Sequence, residues 1–129
     1  MTTDKFIIYV DDDEDDILLM QEAFAEIEGF GLMTLGNGAE LLQYLEGAVC
    51  LPSLIILDVN MPVLNGRETL RALKQHPILS ALPVVLFSTG SQVSEKLFAA
   101  ALNTDLIVKP FDFPSLRKTV RRLVAYARV

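Results

Sequence analysis

Phe6-Ile7-Ile8-Tyr9-Val10-Asp11-Asp12 decides the reading of this chain: a short run of apolar and aromatic residues that stops at two acids. A strand with no polar alternation is buried on both faces, as in a parallel sheet covered by helices. The pattern returns downstream. Leu54-Ile55-Ile56-Leu57 stops at Asp58, Val84-Val85-Leu86-Phe87 stops at Ser88-Thr89, and Leu106-Ile107-Val108 stops at Lys109-Pro110. Phe30 to Leu35 reads as a weaker strand before the turn Gly36-Asn37-Gly38. Between these runs the apolar residues recur at helical spacing. Helices are expected over about Asp15 to Glu28, Ala39 to Glu46, Gly66 to Gln75, Val93 to Leu102 and Pro114 to Ala127. Gly29 ends the first of them and His76-Pro77 the third. Five strands alternating with five helices predict an α/β fold, a doubly wound five-stranded parallel sheet of the flavodoxin-like kind.

Length and composition agree. A chain of 129 residues is the size of one domain, and 51% hydrophobic residues exclude a disordered tail. No apolar run approaches the roughly 18–20 residues that span a bilayer, and no signal-peptide pattern opens the chain, so no membrane partner is expected. The single cysteine, Cys50, excludes an internal disulfide and fits a reducing, cytoplasmic setting. Charge is polarised: residues 1–58 carry a net −12 and residues 59–129 a net +6. An acidic surplus of this size argues against nucleic acid as a partner.

In doubly wound sheets ligands bind beyond the carboxyl ends of the strands. There the fold would gather Asp11, Asp12, Asp58, Ser88, Thr89 and Lys109, although Asp11 and Lys109 lie 98 positions apart. Clustered carboxylates repel, and one is driven to protonate unless a cation intervenes. Mg²⁺ suits such a set: it takes hard oxygen ligands and keeps room for a phosphoryl oxygen. Lys109 supplies a second positive charge and Ser88 a hydrogen-bond donor. An Asp beside Mg²⁺ and Lys is equipped to attack phosphorus and hold an acyl phosphate.

Taken together, Val10-Asp11-Asp12-Asp13, Leu57-Asp58-Val59-Asn60-Met61-Pro62, Gly66, Phe87-Ser88-Thr89 and Val108-Lys109-Pro110-Phe111 resemble the response-regulator receiver domains of bacterial two-component signalling. The resemblance covers the whole chain. The acidic stretch after the first strand and the ending Arg121-Arg122-Leu123-Val124-Ala125-Tyr126 look most like stand-alone, chemotaxis-receiver-like members of the phytochrome-associated type. The resemblance implies strand order 2-1-3-4-5 and one receiver domain over residues 1–129 with no output domain. It implies that Asp58 is the phosphoacceptor and that Asp12 contacts Mg²⁺ directly. Asp11 would act through water or orient a ligand, and Asn60 would offer its backbone carbonyl. Ser88 would be the switch hydroxyl, Lys109 would bind the phosphoryl oxygens, and the Lys109–Pro110 peptide would be cis. The implied activity is self-phosphotransfer and autodephosphorylation rather than turnover of a separate substrate. The implied partners are a histidine kinase or phosphotransfer domain, a downstream protein target, and a second copy in a phosphorylation-dependent homodimer. The side of the first helix near Asp15 would meet the kinase, and the face of the fourth and fifth helices and fifth strand the target.

Two positions depart from the family. Receivers often carry Tyr or Phe three residues before the Lys, where this chain has Leu106, and a small Ala after the switch hydroxyl, where it has Thr89. Switching must then use Ser88, loop movement and aliphatic repacking. Plainer readings compete at each motif. Asp13 to Asp16 suit a helix start, where acids complement the dipole, and no EF-hand loop fits them, for want of the central Gly. His76 reads as a helix-end residue. Among other functions, a flavodoxin would want a hydroxyl- and Gly-rich phosphate loop where Asp11 and Asp12 stand. An aspartate-nucleophile phosphatase would want an acid at position 60, which is Asn. A receiver-like module independent of phosphorylation would have lost Asp58, Asp12 or Lys109, and all are present.

Overall fold

The structure, a computed structural model of the chain, describes residues 5–59, 65–89 and 93–127. The order is β1 (Phe6–Val10), α1 (Glu14–Phe24), β2 (Gly31–Leu35), α2 (Gly38–Glu46), β3 (Leu54–Asp58) and α3 (Gly66–Gln75), then β4 (Val84–Ser88), α4 (Val93–Ala101), β5 (Asp105–Val108) and α5 (Phe113–Val124). The strands form one parallel sheet in the order β2-β1-β3-β4-β5. Register aligns their carboxyl ends: Val10 pairs with Leu57, Asp58 with Phe87 and Ser88 with Val108.

Period-two alternation sends each apolar strand into two cores. Ile7, Tyr9, Ile56, Val85, Phe87 and Ile107 face α1 and α5, packing on Met20, Phe24, Leu116, Val120 and Leu123. Ile8, Val10, Ile55, Leu57 and Leu86 face the other helices, packing on Leu41, Leu45, Leu70, Leu73 and Ala99. Both sides are covered, which is why the strands carry so few polar residues. Leu106 packs against the second core.

The helices begin where short polar side chains accept orphan amides. Asp13 caps α1, accepting from the Asp15 and Asp16 amides, and Asn37 and Asp112 cap α2 and α5 in the same way. Asn65 and Glu68 form a reciprocal capping box on α3.

Several boundaries differ from expectation. The first helix stops at Phe24 rather than Glu28, because the chain turns at Ala25 and swings into β2 through Gly29 at φ 92°. Ile27 still packs on the first core, from the loop rather than from the helix, so its apolar spacing reflects burial alone. A short 3-10 turn, Leu79–Ala81, was not foreseen. His76 organises its approach: its Nδ1 accepts from the Ile78 and Leu79 amides at 3.0 and 3.1 Å. The Lys109–Pro110 peptide is trans, correcting the cis expectation, and no cis bond occurs among the described residues. The small intrinsic gap between the two forms lets local packing choose, and here the usual trans form is kept.

Candidate functional site

At the carboxyl end of β1, Asp11 is fully buried. Its carboxylate accepts from the Asp13 amide at 3.0 Å, from the Lys109 Nζ at 2.9 Å and from the Tyr9 hydroxyl. Asp12 points outward and is exposed. Asp58 closes β3 at 5% exposure. The Lys109 backbone amide donates to the Ser88 carbonyl at 2.6 Å, which fixes where the lysine leaves the sheet. Its ammonium lies 2.9 Å from Asp11, 3.0 Å from Asp16 and 3.1 Å from Asp58. It also sits 5.9 Å from the centre of the Phe87 ring, whose neighbour edge-on is Tyr9.

A glycine sets the wall beside Asp58. The Gly66 amide donates to the Val59 carbonyl at 3.0 Å, and a Cβ at Gly66 would lie 2.3 Å from the Asp58 carbonyl oxygen. The start of α3 therefore rests directly on the backbone of the end of β3, an approach closed to any other residue type.

Electrostatics follow from this crowding. Burial, then the Asp11 charge, push Asp58 up to about 7 against the opposing pull of Lys109. Burial alone would lower Lys109, but the hydrogen bond from its ammonium to Asp11 and the charges of Asp58 and Asp11 carry it above its ordinary value. Tyr9 is held far above the ordinary phenol, first by burial and then by the Asp11 charge. One ammonium thus faces a surplus of carboxylates. Oxygens of Asp11, Asp12 and Asp58 lie within 4.8 Å of one another. An all-oxygen set of this charge, with one member driven toward protonation, fits a hard divalent cation.

These groups border an open cavity of about 730 Å³ lined by Asp11, Asp12, Asp16, Asp58, Thr89 and Lys109, among others. The structure thus brings together Asp11, Asp12, Asp58 and Lys109 as the sequence predicts. Asn60 lies outside the described residues, as do Met61 and Pro62. Ser88 is at its expected strand end but is fully buried, and its hydroxyl donates to Glu95 Oε1 at 2.6 Å. Thr89, and not Ser88, is among the residues that line the cavity.

Sequence reasoning missed Tyr9, Asp16 and Glu95. Tyr9 carried a signal: a phenol in an aliphatic strand needs a partner, and Asp11, two residues on, projects to the same side. Asp16 read as a helix-start acid, and it does sit in the first turn of α1; what went unread is that it also reaches the ammonium. Glu95 carried no signal beyond its place in the first turn of α4.

A family model described as the response regulator receiver domain matches residues 7–121. The phosphate regulon transcriptional regulatory protein PhoB of Rhizobium meliloti (strain 1021) is 32% identical over 122 residues, which are 94% of this chain and 53% of PhoB. The chain therefore spans about half the length of that curated relative. The crystal structure of the phosphorylated cyanobacterial phytochrome response regulator RcpA superposes with a TM-score of 0.88 at 30% identity, covering 98% of each chain. The Mn(2+)-bound form of the response regulator Rcp1 superposes with a TM-score of 0.84 at 28% identity, over 94% of this chain and 92% of that one. No helix among the described residues is long and apolar enough to cross a membrane. With a match running from the first strand into the last helix, and an acidic pocket where the strands end, the chain belongs to the response regulator receiver domain family.

Proposed function

We propose that residues 1–129 act as a receiver domain in which Asp58 accepts a phosphoryl group from a histidine kinase or phosphotransfer domain and the chain then changes its affinity for protein partners. The observation that carries this reading is Asp58 itself. It is a carboxylate at a strand end, bordering an open cavity, 3.1 Å from a lysine ammonium and grouped with Asp11 and Asp12.

Asp11, Asp12 and Asp58 would hold Mg²⁺, with the Asn60 carbonyl as a further ligand. When bound, the ion offsets carboxylate repulsion and draws charge from the phosphoryl oxygens. Asp58 Oδ attacks phosphorus in its ionised form. A P–O bond forms as the P–N bond to the donor imidazole breaks, and the departing ring takes a proton from solvent. Lys109, pinned by its backbone to β4, is poised to pair with the transferred group's oxygens. Tyr9 and the Asp13 amide hold Asp11 in one orientation, so the pocket need not reorganise during transfer. Ser88 is the hydroxyl that registers the new group, and the resulting shift in conformational populations alters protein binding, a second copy of the chain included.

Incubation with acetyl phosphate and Mg²⁺ should add one phosphoryl group, read by intact mass and released by hydroxylamine as an acyl phosphate is. EDTA should abolish uptake, and so should Asp58→Asn. Uptake that survives both treatments would overturn the reading.

A further inference from the structure

Ser88 has one hydroxyl proton to give, and among the described residues its hydroxyl donates to Glu95. The two side chains belong to different elements: Ser88 ends β4, and Glu95 sits in the first turn of α4. Both are buried, Ser88 completely and Glu95 to 5% exposure. A hydrogen bond of 2.6 Å to a carboxylate is of the strong, charge-assisted kind. Among the described residues, Ser88 is the hydrogen-bond donor to this buried carboxylate.

We propose that Glu95 is a positioning residue that holds the Ser88 hydroxyl toward α4 in the resting state and competes for it with a phosphoryl group on Asp58. The proposal rests on the reading of Asp58 as phosphoacceptor. A phosphoryl oxygen and the Glu95 carboxylate are both anionic acceptors, and one proton cannot serve both fully. When the phosphoryl group takes it, Glu95 loses the Ser88 donor while still buried, which is costly for a carboxylate. The carboxylate must turn toward water, and because it is anchored in the first turn of α4, that turn must shift with it.

The movement has an outlet. Phe98, one turn further along α4, lies 5.7 Å from the Arg67 guanidinium and 5.2 Å from that of Arg71, both on α3. Phe98 and Leu106 pack against the same core. A displaced α4 therefore repacks against β5 at Leu106. This couples the site to the α4 surface by competition for a proton and aliphatic repacking, without any ring rotation at position 106.

The test compares the full chain with Ser88→Ala, Glu95→Gln and the double variant. Each is measured for phosphoryl uptake from acetyl phosphate with Mg²⁺ and for amide hydrogen exchange of residues 93–101. Glu95→Gln keeps the size of the side chain and removes its charge, and a thermal melt of each variant confirms folding. In the parent chain, phosphorylation should speed exchange across α4 by about threefold or more, on the scale of local opening equilibria. Each single variant should speed it before phosphorylation, the double variant should match the singles, and phosphorylation should add little in any of them. Effects of the two substitutions that simply add would overturn the proposal. So would an unchanged α4 in a parent chain that takes up phosphoryl normally. Failure of uptake in the parent chain would overturn the Asp58 reading itself, and this inference with it.

Discussion

The two ends of the sheet are built from the same strands and do opposite things. At the carboxyl ends, Asp11, Asp16 and Asp58 converge on one ammonium, and Asp58 is pushed up to about 7. At the amino ends, Leu51, Pro52, Ile78, Leu82 and Pro83 border a largely apolar hollow, and His76 caps a turn through a ring nitrogen that accepts from two amides. One end holds charges that repel; the other holds surfaces that simply pack. The two ends therefore contribute to stability by different means, charge balance at one and packing at the other, and substitutions at the two ends should fail differently.

The largest effect is expected at Lys109. Lys109→Ala leaves buried Asp11 and Asp58 without their counter-charge, which should destabilise the chain by about 3–5 kcal/mol without metal. Added Mg²⁺ should restore part of this, read as a rise in Tm. Some phosphoryl uptake should persist, but partner affinity should no longer respond to it. A Lys109→Ala protein as stable as the parent in EDTA would erase the contrast between the ends.

Leu79→Ala probes the other end. Leu79 is buried in the second core, and its loss should cost about 2–4 kcal/mol by denaturant unfolding. Uptake per folded molecule should match the parent. A site defect there would mean that the two ends are mechanically coupled.

A pH series sharpens the electrostatic half. Asp58 is raised above its unfolded value of 3.8 to about 7, so the folded state binds the proton more tightly. Stability from this group is therefore present at low pH and falls as pH rises from about 4 to about 7. In EDTA, Asp58→Asn should melt with the parent near pH 4 and above it at pH 8, by on the order of 2–4 kcal/mol. With Mg²⁺ at pH 8 the gap should close. A gap that is the same at both pH values would contradict the assigned repulsion.

The smallest effect belongs to His76→Ala. Losing a cap to two amides should cost about 1 kcal/mol and leave uptake unchanged. A fall in uptake would extend the site to an end of the sheet where nothing else places it.

The strands were legible in the sequence because burial on both faces removes polar alternation, and Asp11, Asp12, Asp58 and Lys109 follow directly where those runs stop. What lay beyond was set by tertiary packing. The rotation of a helix over the sheet fixes which of its residues meet a strand end, and strand periodicity does not encode it. Hence Asp16 read as a helix-start acid and Glu95 went unnoticed. The early end of α1 was hidden because Ile27 keeps helical spacing while packing from a loop. Ser88 was placed correctly on the strand, but the direction of its hydroxyl depends on α4.

The most direct test is to locate the phosphoryl group. After acetyl phosphate and Mg²⁺, tandem mass spectrometry of peptides spanning residues 54–75 should place a single phosphoryl group on Asp58. A group found on Asp11, Asp12 or any residue outside the pocket would contradict the account.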